Sequence, residues 1–169
     1  MKRILSMVWV LPILIFGVVL QAQAAPQVLI NEIHYDNAGG DVGESFEIAA
    51  VAGTDLSDYS VLLYNGSNGT VYNIINLSGT VANECNGYGF VTTVLPANGI
   101  QDGSPDGIAL VNTATSTLLE FLSYEGTMSA IDGVAVGLTS TDIGVDEPST
   151  TPIGFSLQRA GDLGTGVGL

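Results

Sequence analysis

Six side chains able to bind a cation or move a proton crowd into one stretch: Glu32, His34, Asp36, Asp41, Glu44 and Glu47. Calcium takes several oxygen ligands, and a loop of Asp and Gly can supply them. Asp36, Asp41 and Glu44 sit on the turn itself, so calcium is the ion this stretch would hold. Their spacing is not that of an EF-hand loop. His34 is the single histidine and Cys85 the single cysteine, too few for a typical zinc set. The competing reading is structural. Asn31, Asp36 and Asp41 would bond nearby backbone and shape the turn, and a lone strand histidine usually packs or is solvated. The structural reading is the stronger, so the sequence assigns no catalytic, cofactor-binding or metal residue.

Other candidate chemistry is thinner. Asp102-Gly103-Ser104-Pro105-Asp106-Gly107 places two carboxylates four residues apart, a pair that could share a cation; Pro and Gly make it better as a turn before a strand. Ser123 and Ser156 lie in strand-like runs, outside any Gly-x-Ser-x-Gly elbow. Cys85 has no cationic neighbour in sequence to lower its pKa. Carboxylates suited to glycoside hydrolysis are present by type, but their separation in space is not a property of the sequence.

The elements that must carry these groups read as strands. Residues 27–34 and 45–51 alternate around the turn Asn37-Ala38-Gly39-Gly40-Asp41. Strict alternation puts Val28, Ile30, Glu32 and His34 on one face of the first run. It puts Phe46, Ile48 and Ala50 on the apolar face of the second, with Ser45 and Glu47 opposite. YSVLLY at 59–64 is rich in β-formers. Asn65-Gly66-Ser67-Asn68-Gly69 is hairpin chemistry, and 71–77 is the partner strand. Further strands are expected at 87–95, 108–111, 118–124 and 154–159, with a very short one at 134–136. Phe46, Ile48, Val61, Leu63, Ile108, Leu110 and Phe121 are the expected core. Asn65, Asn68 and Asn76 open glycosylation sequons, but the turn-forming role of Asn explains them. Short strands at close spacing predict an all-β sandwich.

Composition narrows the function classes. Met1-Lys2-Arg3, the apolar run 4–20 and Ala22-x-Ala24 have the order of a cleaved export signal. Residues 1–24 are therefore expected to leave, 25–160 to form one sandwich domain, and 161–169 to be a Gly-rich, frayed or truncated end. The run contains Pro12 and is at the lower edge of spanning length, so no membrane attachment is expected after cleavage. The net charge is −14. Losing Lys2 and Arg3 takes it to −16 and leaves Arg159 as the last base. Such a surface repels phosphate backbones, which argues against direct nucleic-acid binding.

Seven stretches in order resemble the lamin-tail domain, in the branch found in secreted bacterial proteins. They are VLINEIHYDN (28–37), ESFEI (44–48), DLSDYSVLLYNGSNGTVY (55–72), PDGIALV (105–111), FLSYEG (121–126), STDIG (140–144) and GFSLQ (154–158). The resemblance implies an immunoglobulin-like β-sandwich. It implies a secreted or periplasmic binding module whose partner is a protein or other extracellular ligand. Such domains often stand beside an extracellular nuclease or another enzyme, which makes part of a metal-dependent nuclease or hydrolase the alternative. Gly-Asp-x-Asn and Ser-Asp-His, expected of that nuclease, do not occur. Relatives continue after GFSLQ into a further aromatic-containing strand. Here AGDLGTGVGL follows, so either the last strand is incomplete or the chain is a fragment of a longer protein.

Overall fold

The computed structural model describes residues Val28 to Gly161. The expected signal peptide and most of the Gly-rich end lie outside the described residues. Among the described residues nine strands form two sheets: β1 (Val28–His34), β2 (Ser45–Val51), β3 (Tyr59–Asn65), β4 (Thr70–Asn76), β5 (Tyr88–Val94), β6 (Asp106–Asn112), β7 (Thr117–Tyr124), β8 (Thr141–Asp142) and β9 (Leu157–Gln158). The first sheet has the order β5-β2-β1-β9 and the second β4-β3-β6-β7-β8. Pairing is antiparallel except between β7 and β8. Among the described residues no helix is long and apolar enough to cross a membrane.

The two sheets face each other across one core. Val28, Ile30, Ile33, Phe46 and Ile48 from the first sheet meet Val61, Leu63, Ile108, Leu110 and Leu122 from the second. Burying each such side chain contributes about 1.5–3 kcal/mol. The chain is thus an all-β sandwich, as its alternating pattern predicts. The predicted hairpin around residues 65–69 forms as β3–β4. Asn65 Oδ1 accepts from the Ser67 N–H at 2.9 Å and Asn68 Oδ1 from the Thr70 N–H at 2.9 Å, the turn-forming role expected of these asparagines. Gly66 is required by close approach: a Cβ there would lie 1.8 Å from the Pro105 carbonyl oxygen.

Four expectations are corrected. Strict alternation in β1 fails because the register shifts between Ile30 and Glu32, leaving Asn31 as an extra residue. Ile33 and Tyr35 therefore follow Val28 and Ile30 into the core, instead of Glu32 and His34. Phe121 is buried on the other side of its sheet. It joins Leu62, Tyr64, Ala109 and Met128 in a second cluster, under the segment that contains Ala130 and Ala135. Leu122 takes the place in the central core. Residues 134–136 form a turn rather than a strand, with Ala135 packed beneath it. The predicted strand at 154–159 pairs only through Leu157 and Gln158, and Phe155 is exposed.

Candidate functional site

The β1–β2 loop and the loop before β6 meet at one end of the sandwich. There Asp36, Asp41 and Asp102 each offer a carboxylate oxygen, all within 4.8 Å of one another. Asp36 is buried, Asp41 half-buried and Asp102 exposed, so the cluster opens to solvent on one side. Burial, then the hydrogen bond and charge of Asp41, then the charge of Asp102, push the Asp36 pKa up. The Asn37 N–H opposes that shift.

Behind the loop lies Glu44, fully buried. Its Oε2 accepts from the Gly99 N–H at 2.6 Å, while Oε1 is buried without a donor. Burial raises its pKa, the Gly99 and Ile100 amides lower it, and Asp41's charge raises it further. Asn37, also buried, donates from Nδ2 to the Val42 carbonyl at 2.9 Å and leaves Oδ1 without a partner. Asp106, the other carboxylate of the second acidic loop, turns away from the trio's role. Its Oδ1 accepts from the Gly66 N–H at 2.7 Å, tying the β3–β4 hairpin to β6. Burial raises its pKa against the Gly66 and Gly103 amides.

His34 is taken up by the fold. Its Nδ1 lies 2.9 Å from Glu147 Oε1, and Nε2 lies 2.9 Å from Asn37 Nδ2. With Asn37 donating to Nε2, the Nδ1–H donates to Glu147. Glu147 Oε2 accepts from the N–H groups of Tyr35 at 2.6 Å and Asp36 at 3.2 Å. Its own N–H donates to the Tyr35 hydroxyl at 2.8 Å. Burial, opposed by that N–H, raises the Tyr35 pKa, and the ring stacks on Tyr124 at 4.0 Å. Glu32 and Glu47 belong to neither group. They pair across β1 and β2, and Glu47 accepts from Asn31 and Thr92.

Arg159 is also committed: its Nη2 donates to Glu120 Oε1 at 2.7 Å, and Glu120 Oε2 accepts from the Ile30 N–H at 2.7 Å. Burial raises the Glu120 pKa against the Ile30 amide and Arg159. Beside this bridge is an apolar groove of about 270 Å³, lined by Ile30, Ile33, Leu122, Ile143, Val145 and Leu157. Cys85 is exposed and free.

The sequence thus names Asp36, Asp41, Glu44, Asp102, Asp106 and His34 but groups them differently. Asp36 and Asp41 come together as the spacing suggests. Asp102 joins them in place of Glu44, which withdraws behind the loop. Glu147 and Glu120 carry no sequence signal, because their partners are distant in the chain. Comparisons with protein-family models, with curated proteins and with solved structures found no match for this chain.

Proposed function

We propose that this chain is an exported, non-catalytic contact module of the lamin-tail kind, with an immunoglobulin-like sandwich, serving as an accessory domain of a larger secreted protein or enzyme. One observation carries the reading. The imidazole and the guanidinium that a hydrolase or nuclease would want are both sequestered, His34 against Glu147 and Asn37 and Arg159 against Glu120. Acid–base catalysis needs a group within reach of substrate, and a polyanion needs offsetting cations. The loops, and the edge strands β4 and β5, are left to make contacts; Ile74 and Val94 on those strands are exposed.

A metal-dependent hydrolase is the second reading, and the Asp36–Asp41–Asp102 cluster favours it, because a bound ion can activate water. The test uses protein recovered from outside the cytoplasm of an exporting host, with Ala25 as the expected first residue. It should leave plasmid and single-stranded DNA intact with magnesium, manganese or calcium. Cleavage abolished by Asp36→Asn or Asp102→Asn would establish the hydrolase instead. Recovery of the chain in the cytoplasm with Met1 retained would remove the export half of the proposal.

A further inference from the structure

We propose that β5 is a dimerisation edge, which pairs antiparallel with β5 of a second copy of this chain about a two-fold axis at Thr92. The inference rests on the contact-module reading, whose edge strands make the contacts, and it names the partner.

The register shows which backbone groups are free. Among the described residues β5 pairs with β2 alone. The Leu95 N–H donates to the Glu44 carbonyl and the Ala52 N–H to the Gly87 carbonyl, both at 2.8 Å. The register between those two bonds is unbroken, so Gly89, Val91 and Thr93 exchange bonds with β2. Phe90, Thr92 and Val94 therefore turn their N–H and C=O groups outward. Tyr88, next in that phase, is already used. It bonds Cys85 in both directions, and its carbonyl also accepts from the Glu84 N–H.

The free edge is complementary to itself. Antiparallel pairing centred on Thr92 sets Thr92 opposite its own copy, Phe90 opposite Val94, and Tyr88 opposite Pro96. Val91 packs against the central core, so alternation puts Phe90, Thr92 and Val94 on the other face. There Phe90 is half-buried, and Thr92 and Val94 are exposed. An aromatic side chain thus meets a β-branched one on each side of the axis, a favourable cross-strand pair. The ends match as well. Pro96 has no N–H to leave unmet, and the Tyr88 backbone needs no new partner.

Charge selects a copy of this chain as the occupant. Residues 85–101 hold no charged side chain, in a chain of net charge −14. Edge strands are usually guarded by charge, proline or a bulge. Residues Tyr88–Val94 include no charge or proline, and their register against β2 has no bulge. The long edge strand of the other sheet differs. Asp132 Oδ1 accepts from the Val71 N–H of β4 at 2.8 Å, and the β3–β4 register shifts between Leu63 and Tyr64. A cationic partner would be drawn to carboxylates. A second molecule that is itself acidic meets least repulsion along a neutral edge.

The test is sedimentation velocity over a concentration series, in reductant so that Cys85, exposed and free, forms no bridge. A monomer–dimer equilibrium is expected. Its dimer fraction should rise with sodium chloride, because salt screens the repulsion between acidic copies. The Phe90, Thr92 and Val94 amides should exchange more slowly with solvent as concentration rises. Thr92→Lys changes an exposed side chain and sets two ammonium groups opposite each other. It should raise the dissociation constant about tenfold or more and leave the far-ultraviolet circular dichroism unchanged. Ile74→Lys on β4 should leave the dimer intact. The proposal is overturned by a monomer at every concentration, by a dimer found only without reductant, or by a dimer that survives Thr92→Lys. A monomer that leaves DNA intact would remove this inference and spare the contact-module reading. A dimer whose DNA cleavage is abolished by Asp36→Asn would remove the non-catalytic half of that reading and leave the β5 interface standing.

Discussion

At the residue scale, the histidine is a fastener. Glu147 collects the His34 ring and the Tyr35 and Asp36 amides on one carboxylate. It thereby anchors the segment after β8 to the end of β1, and it fixes the backbone from which Asp36 projects. Removing the Glu147 carboxylate leaves the His34 Nδ1–H and the Tyr35 and Asp36 amides buried without their acceptor, at a cost of about 1–3 kcal/mol for each group. Glu147→Ala should therefore lower the urea midpoint markedly. A loss under about 1 kcal/mol would show that the pair is idle and that the loop is held by other contacts, such as the Ala38 N–H to the Thr151 carbonyl at 2.8 Å.

At the element scale, one extra residue in β1 sets which groups face inward. The bulge at Asn31 lets Val28 and Ile30 pack before it and Ile33 and Tyr35 after it. It frees the Asn31 amide to bond Glu47 at 2.9 Å, and the Asn31 carbonyl to accept from the Arg159 N–H at 2.9 Å. Partner strand β2 has no such slip against β5, so Phe46 and Ile48 keep the alternation expected of them. Phe46 is fully buried between the sheets, and truncation to Ala should cost about 3–5 kcal/mol. Ile74→Ala on the exposed side of β4 should fall within about 0.5 kcal/mol of the parent. Equilibrium unfolding of the two variants checks the contrast; equal losses would contradict the placement of the core.

At the scale of the whole molecule, charge governs stability. Burial raises the folded-state pKa values of Asp36, Glu44, Asp106 and Glu120. A carboxyl whose folded pKa exceeds its unfolded value binds more protons folded than unfolded between the two values. Folding stability therefore rises as pH falls through the folded pKa, and the gain is complete below the unfolded pKa, about 4. The net charge of −14 adds self-repulsion that acidification also relieves. The melting temperature should increase from pH 7 toward pH 5. A melting temperature that falls steadily from pH 7 to pH 5 would refute this sign.

Strand periodicity and turn chemistry are local properties, and they were enough to determine the all-β class, the β1–β2, β3–β4 and β6–β7 hairpins, and most of the core. Each strand's inward face follows from alternation over neighbouring residues, and each Asn-Gly turn from backbone preferences within a few positions. The places where alternation misled, Phe121 and the end of β1, are where a register shift in a pair moves every later side chain to the opposite face. No single strand's sequence encodes its register against a partner. The same limit divides the acidic groups. Asp36 and Asp41 are joined by one turn and were legible together. Asp102 meets them, Glu147 meets His34 and Glu120 meets Arg159 only because the two sheets close on each other. Which carboxylates share a site and which are locked away is therefore decided by the packing of distant loops.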